Sequence, residues 1–129
     1  MNRFMLLCLV SLFIMFGACS KDHQDLPTGF AYDPPPTPTS LTVVGGNESA
    51  TLTWSYPASE LGSLGEFRIY YYYAIYNLVD LIGTATDTTF IDSLLVGNLY
   101  YCYQVSAVDT TGFEGWRTAA ECAFVRSAE

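Results

Sequence analysis

From Ser40 onward, apolar residues recur at every second position, the period of a strand with one buried face. Leu41 and Val43 alternate with polar neighbours, and Gly45-Gly46-Asn47 punctuates a turn. Leu52 and Trp54 alternate with Thr51, Thr53 and Ser55. After a loop containing Pro57 and Gly62, Phe67, Ile69 and Tyr71 share one parity. A short strand is predicted near Leu81 to Ala85 and another over Thr89 to Ile91. Tyr101, Tyr103, Val105 and Ala107 form the longest alternating set, and Ala120, Cys122 and Phe124 fall in a last strand. Seven short strands separated by turn signals, without helical periodicity, predict an all-β sandwich.

The N-terminal pattern is different. Met1-Asn2-Arg3 precedes an almost unbroken apolar run from Phe4 to Phe16. One cation ahead of so short a run is the layout of a secretory signal, and a membrane span needs about 20 apolar residues. The run closes on Phe16-Gly17-Ala18-Cys19. Small residues ahead of a cysteine resemble the lipobox of bacterial lipoproteins, with Phe16 standing where that family usually has Leu. The resemblance implies a signal peptide over 1–18, lipid on Cys19, and attachment to the bacterial cell envelope at the outer membrane. The alternative is ordinary cleavage near Ala18 and release as a soluble secreted protein. Residues 19–36 read as a tether. They are polar and aperiodic, and they run into Pro34-Pro35-Pro36-Thr37-Pro38, which is biased to extended geometry. Within them, Ser20 to Asp25 resembles the short acidic sorting signals of some surface lipoproteins, or is plain solvated linker. Residues 37–129 are left for the domain.

Several stretches of that domain carry a more specific likeness. They are the Pro-rich lead-in with Leu41 and Val43, Ala50-Thr51-Leu52-Thr53-Trp54, Phe67-Arg68-Ile69-Tyr70, and Tyr101 through Asp109. In this order, over roughly Pro36 to Val125, they resemble a fibronectin type III domain. The resemblance implies a seven-stranded immunoglobulin-like sandwich with Trp54 as its core tryptophan. It also implies that Leu95, Gly97 and Tyr101 form the turn and corner before the sixth strand, the Tyr101 hydroxyl bonding back to upstream backbone. The usual proline of that turn is absent, and Val96-Gly97 occupies the region.

The four cysteines divide among these parts. Cys8 leaves with the signal and Cys19 takes lipid, so Cys102 and Cys122 remain in an oxidising setting. The position midway between them is Gly112, inside the turn signal Asp109-Thr110-Thr111-Gly112. Directly opposed residues of an antiparallel hairpin are equidistant from its turn, so the pair is expected face to face on the sixth and seventh strands. Cys102 has the opposite parity to Tyr101, Tyr103 and Val105, which directs it away from the core.

Charge and side-chain chemistry narrow the function. The formal net charge is −8, from 5 basic and 13 acidic residues. That balance argues against nucleic acid and against polybasic membrane contact. The single histidine, His23, lies in the tether, so the sandwich can assemble neither a Ser-His-Asp nor a Cys-His constellation. No metal or cofactor is implied, and no enzymatic activity is expected. Glu60 with Glu66, and Asp109 with Glu114, flank two loops and read as solvated acids. The run Tyr70 to Tyr73 offers Tyr70 and Tyr72 as outward candidates, with Trp116 beside them as a binding face. The alternative is ordinary cross-strand packing. The adhesive tripeptide Arg-Gly-Asp is absent. Two readings follow: a non-catalytic interaction module for protein or glycan, or a structural spacer or accessory subunit of an envelope complex. Mass spectrometry of the exported protein is expected to find Cys102 and Cys122 linked, and free thiols at both would refute the pairing.

Overall fold

The computed structural model describes residues 33–129, and the signal peptide, its helix and the lipid attachment at Cys19 lie outside the described residues. Seven strands follow in order: β1 (Thr39–Gly45), β2 (Ser49–Ser55), β3 (Leu64–Tyr73), β4 (Leu78–Ala85), β5 (Thr89–Ser93), β6 (Leu99–Asp109) and β7 (Glu121–Val125). One 3-10 turn, Ala58–Glu60, interrupts the connection from β2 to β3. The strands form two antiparallel sheets, β1-β2-β5 and β4-β3-β6-β7. This is the all-β, two-sheet sandwich expected from the alternation.

The core follows from parity. Leu41, Ala50, Leu52 and Trp54 turn inward from one sheet, and Phe67, Ile69, Tyr103, Val105, Ala107 and Val125 from the other. The Phe67 ring receives Trp54 and Tyr56 edge-on, both at 5.2 Å between centroids. Such pairs add about 1 kcal/mol each beyond the area they bury. The Trp54 indole N–H has no hydrogen-bond partner among the described residues, so packing alone holds the ring.

A polar tie also crosses the sandwich. Asp92 on β5 accepts hydrogen bonds at Oδ2 from the Tyr71 hydroxyl at 2.5 Å and the Tyr103 hydroxyl at 2.9 Å. The donors stand on β3 and β6, so the bonds join the two sheets. Burial foremost, and then the neighbouring carboxylate, push both phenols above the ordinary tyrosine range. They therefore remain protonated donors.

The turn before β6 is a tyrosine corner. The Tyr101 hydroxyl accepts from the Val96 N–H at 3.0 Å and donates to the Val96 carbonyl at 3.2 Å. Leu95 is buried beneath this turn, and its N–H donates to the Glu48 carbonyl at 3.0 Å. Removing the Asp92 carboxylate leaves two half-buried or buried hydroxyls without their acceptor, which costs about 2 kcal/mol. Asp92→Ala is expected to lower the urea midpoint accordingly, while Asp87→Ala, at an exposed turn, leaves it unchanged.

Candidate interaction surfaces

The connection from β6 to β7 begins with a tight turn. The Asp109 carboxylate accepts at Oδ1 from the Thr111 hydroxyl at 2.7 Å, the Thr111 N–H at 2.8 Å and the Phe113 N–H at 3.0 Å. The Thr111 hydroxyl, helped by backbone amides, holds this carboxyl below the usual aspartate range. Gly112 closes the turn at φ 90°, a conformation disfavoured for any residue with a Cβ. The chain then runs back along β6. Glu114 opposes Val108, the Gly115 N–H donates to the Ala107 carbonyl at 2.8 Å, and the Thr118 N–H donates to the Val105 carbonyl at 2.9 Å. Near the turn this pairing is centred on residue 111, whereas the Cys102 and Cys122 pair is centred on 112. Extra residues between the two registers release Phe113 to Thr118 from the ladder, as an arm beside and over the outer face of the sheet.

Glu114 fastens the arm. Its Oε1 accepts from the Tyr70 hydroxyl at 2.5 Å and the Ser106 hydroxyl at 2.6 Å, and its Oε2 meets Arg68 Nη1 at 2.8 Å. Arg68 also reaches Glu66 at 3.3 Å. Burial works against the Glu114 charge, but Ser106, Tyr70 and Arg68 outweigh it and hold the carboxyl below its usual range. The Glu114 bond in turn raises the Arg68 guanidinium above its ordinary value. Asp109 and Glu114 are therefore fixed structural acceptors, where the sequence suggested solvated acids. Glu66 and Glu114 share Arg68 as ion-pair partner, whereas Glu60 and Asp109 have none among the described residues.

This arm changes the aromatic face expected from the sequence. Tyr70 projects outward from β3, but it is only 8% exposed. Glu114 takes its hydroxyl, and the Arg117 guanidinium lies 5.2 Å from its ring centroid. Alternation assigned its face correctly and could not register the cover supplied by residues more than forty positions away. Tyr72 is partly buried, with its hydroxyl 3.4 Å from Asn77 Oδ1. Trp116 is 78% exposed. It lines an open groove of about 610 Å³ with Pro34, Gln104, Phe113, Glu114, Gly115 and Arg117. Pro35 is buried against the arm, since a Cβ on Gly115 would lie 2.2 Å from the Pro35 carbonyl oxygen. The packed unit accordingly starts at Asp33, which brings Pro34 to Pro36 of the expected tether into the domain.

A second surface lies further along the same sheet. Cys102 and Cys122 are directly paired with Cα atoms 4.0 Å apart and are joined by a disulfide on the outer face. The next outward pair is Tyr100 and Phe124, whose rings sit 5.2 Å apart. Tyr72 pairs with Val79 across β3 and β4. The β3–β4 hairpin closes with the Tyr76 N–H donating to the Tyr73 carbonyl and with Asn77 in the left-handed region at φ 49°. That turn leaves Ile75 90% and Tyr76 70% exposed. Tyr100 and Phe124 were legible in the sequence. The parity that turned Cys102 outward also turns Tyr100 outward, and the hairpin register brings Phe124 opposite it.

The arrangement matches solved structures at low identity. A Fn3-like protein from Clostridium thermocellum superposes with a TM-score of 0.61 at 24% identity, covering 75% of this chain and 99% of the other. The sixth fibronectin type III domain of human fibronectin type III domain containing protein 3 gives 0.60 at 14% identity, covering 78% and 94%. A fragment of titin gives 0.63 at 23% identity, and the match spans 33% of that fragment. The fold is that of a fibronectin type III domain. Neither a protein-family model nor a curated protein matches the sequence. Fibronectin type III domains are typically interaction or structural modules, and protein binding is common among them. In this chain Trp54 is buried in the core, and the Tyr101 hydroxyl bonds the Val96 backbone. Among the described residues, no group of three His, Cys, Asp or Glu side chains could hold a metal ion. No helix among them is long and apolar enough to cross a membrane.

The Glu114 cluster makes stability depend on pH. Because the folded carboxyl titrates below its unfolded value, its contribution is complete above the ordinary glutamate pKa and is lost as pH falls through the lower folded value. Unfolding followed between neutral and acid pH is expected to show wild type losing part of its advantage over Glu114→Gln in that acid window. A constant difference across the range would contradict the assignment.

Proposed function

We propose that the chain is an exported, lipid-anchored protein of the bacterial cell envelope, held at the outer membrane through Cys19, whose fibronectin type III fold is a non-catalytic module for binding a protein partner. The observation that carries the reading is the set of exposed apolar residues at one end of the four-stranded sheet, Ile75, Tyr76, Leu99, Tyr100 and Phe124, each at least 43% exposed. Strand direction brings these residues together. β3 and β6 are antiparallel, so the end of β3 lies beside the beginning of β6. Leu94 adds to the same end, 95% exposed at φ 63°. A leucine in the left-handed region is costly and unsupported by burial, which suits a residue retained for contact.

The disulfide and its outward placement support export. Pro34 and Pro35 bring the chain into the domain beside the arm, at the level of Ala107. Ala107 pairs with Phe67, six residues before the end of β3, a strand length of about 20 Å. The apolar end thus lies about 20 Å of strand from the level at which Pro34 and Pro35 pack. A structural spacer would have no use for so many exposed apolar residues gathered at one end.

Two measurements test this. Cys19→Ala is expected to abolish acylation and move the protein from the membrane fraction to the soluble fraction. A photo-crosslinking residue at Tyr100 is expected to capture a discrete envelope protein, and the same residue at Ile91, exposed on the opposite sheet, is not. Equal capture at both positions, or at neither, would count against the surface.

A further inference from the structure

The groove beside the arm is separate from the apolar end and has different chemistry. Trp116 presents a broad flat ring, 78% exposed, and Phe113 is 50% exposed next to it. Pro34 forms part of the facing wall, and Gln104 contributes an amide. The Gln104 Nε2 is committed to the Thr118 carbonyl at 2.9 Å, which leaves its amide oxygen as an acceptor for a hydroxyl. Arg117 supplies the cation.

The charge of this groove is unusual for such a chain. Three arginines are the only basic residues among the described ones. Arg68 is shared between Glu66 and Glu114, the second of which lines the groove. Arg117 has no carboxylate partner among the described residues and rests over the Tyr70 ring. A guanidinium seated on an aromatic face is held in place with its hydrogen-bond donors unspent. Arg117, like Arg126, thus stands without an ion-pair partner among the described residues, and it does so beside the more exposed of the two indoles.

We propose that this groove binds a short acidic saccharide, with a pyranose ring of the hexuronic class stacked on Trp116 and its carboxylate paired with Arg117. The ring's C–H face and the indole face are complementary in shape and polarity. The carboxylate gains a charge-assisted pair that a neutral sugar lacks. A volume of about 610 Å³ is in the range of small-ligand sites and suits one or two sugar rings. A long polyanion is disfavoured by the net charge of −8. An acidic peptide is a poorer fit, because the Gly115 and Thr118 amides are already bonded to β6 and unavailable for a backbone ladder.

The test is tryptophan fluorescence of the full chain titrated with a di-uronic acid, a neutral disaccharide of the same size and tri-glutamate. Trp54 is buried, so a ligand-dependent change reports on Trp116, and Trp116→Phe identifies its share. The di-uronic acid is expected to give a saturable change that weakens about tenfold in Arg117→Gln and for the neutral disaccharide. Trp116→Ala is expected to abolish binding measured by calorimetry, with the disulfide and the urea midpoint unchanged. A Tyr100→Ser, Phe124→Ser double variant is expected to bind the saccharide as wild type does, which separates this site from the apolar end. No saturable signal, equal affinity for the neutral sugar, or tighter binding of tri-glutamate would each overturn the proposal.

Discussion

The commitment of β6 on both of its faces is the constraint on which the rest of this domain depends. Inward, Tyr103, Val105 and Ala107 are fully buried and close the core against Leu52 and Trp54. Outward, Cys102 is joined to β7, Ser106 bonds Glu114, and Gln104 bonds the Thr118 carbonyl. One strand therefore positions the opposite sheet, the neighbouring strand and the arm. A slip of one residue would exchange the two faces, burying Cys102, Gln104 and Ser106 in the core. Two long-range restraints make that slip improbable on energetic grounds: the disulfide to β7 and the Tyr103 bond to Asp92.

The arm shows how a short acidic loop is converted into a surface. An isolated Phe113–Thr118 segment has no regular ladder to hold it. Glu114 supplies the hold by accepting from three donors that stand on β3 and β6. Each donor is individually modest, but a charged acceptor roughly doubles the strength of such bonds. The consequence is that Tyr70 is sealed while Trp116 and Arg117 are displayed. Pro35 then packs beneath Gly115, so the chain's path into the domain becomes a wall of the groove.

The two surfaces divide the chemistry of the outer face. Near the arm the exposed groups are an indole, a guanidinium and an amide, suited to a small polar ligand. Beyond the disulfide, they are mainly aromatic and aliphatic groups, the ones on which the proposed protein contact rests. Both stand on the four-stranded sheet, whose edge strand β4 is itself largely apolar. The covalent Cys102–Cys122 rung lies between the two regions.

Much of this was legible in the sequence by itself. Period-two alternation determined the strands and the inward set, because a pleated strand has only two faces. The number and spacing of the turns determined a sandwich. The position of Gly112 between the two cysteines determined their pairing, and the same register, carried one step further, determined the Tyr100 and Phe124 pair. What only the tertiary structure decided is accessibility. Tyr70 and Trp116 looked equivalent as outward aromatics, yet one lies under Glu114 and Arg117 and the other stands free. Glu114 read as a solvated acid, yet it accepts from Tyr70, and Asp92, which carried no signal in the sequence, accepts from Tyr71 and Tyr103. Local pattern specifies which face a side chain takes. Whether another segment covers that face depends on contacts between residues far apart in the chain, and those exist only once the sheets have closed.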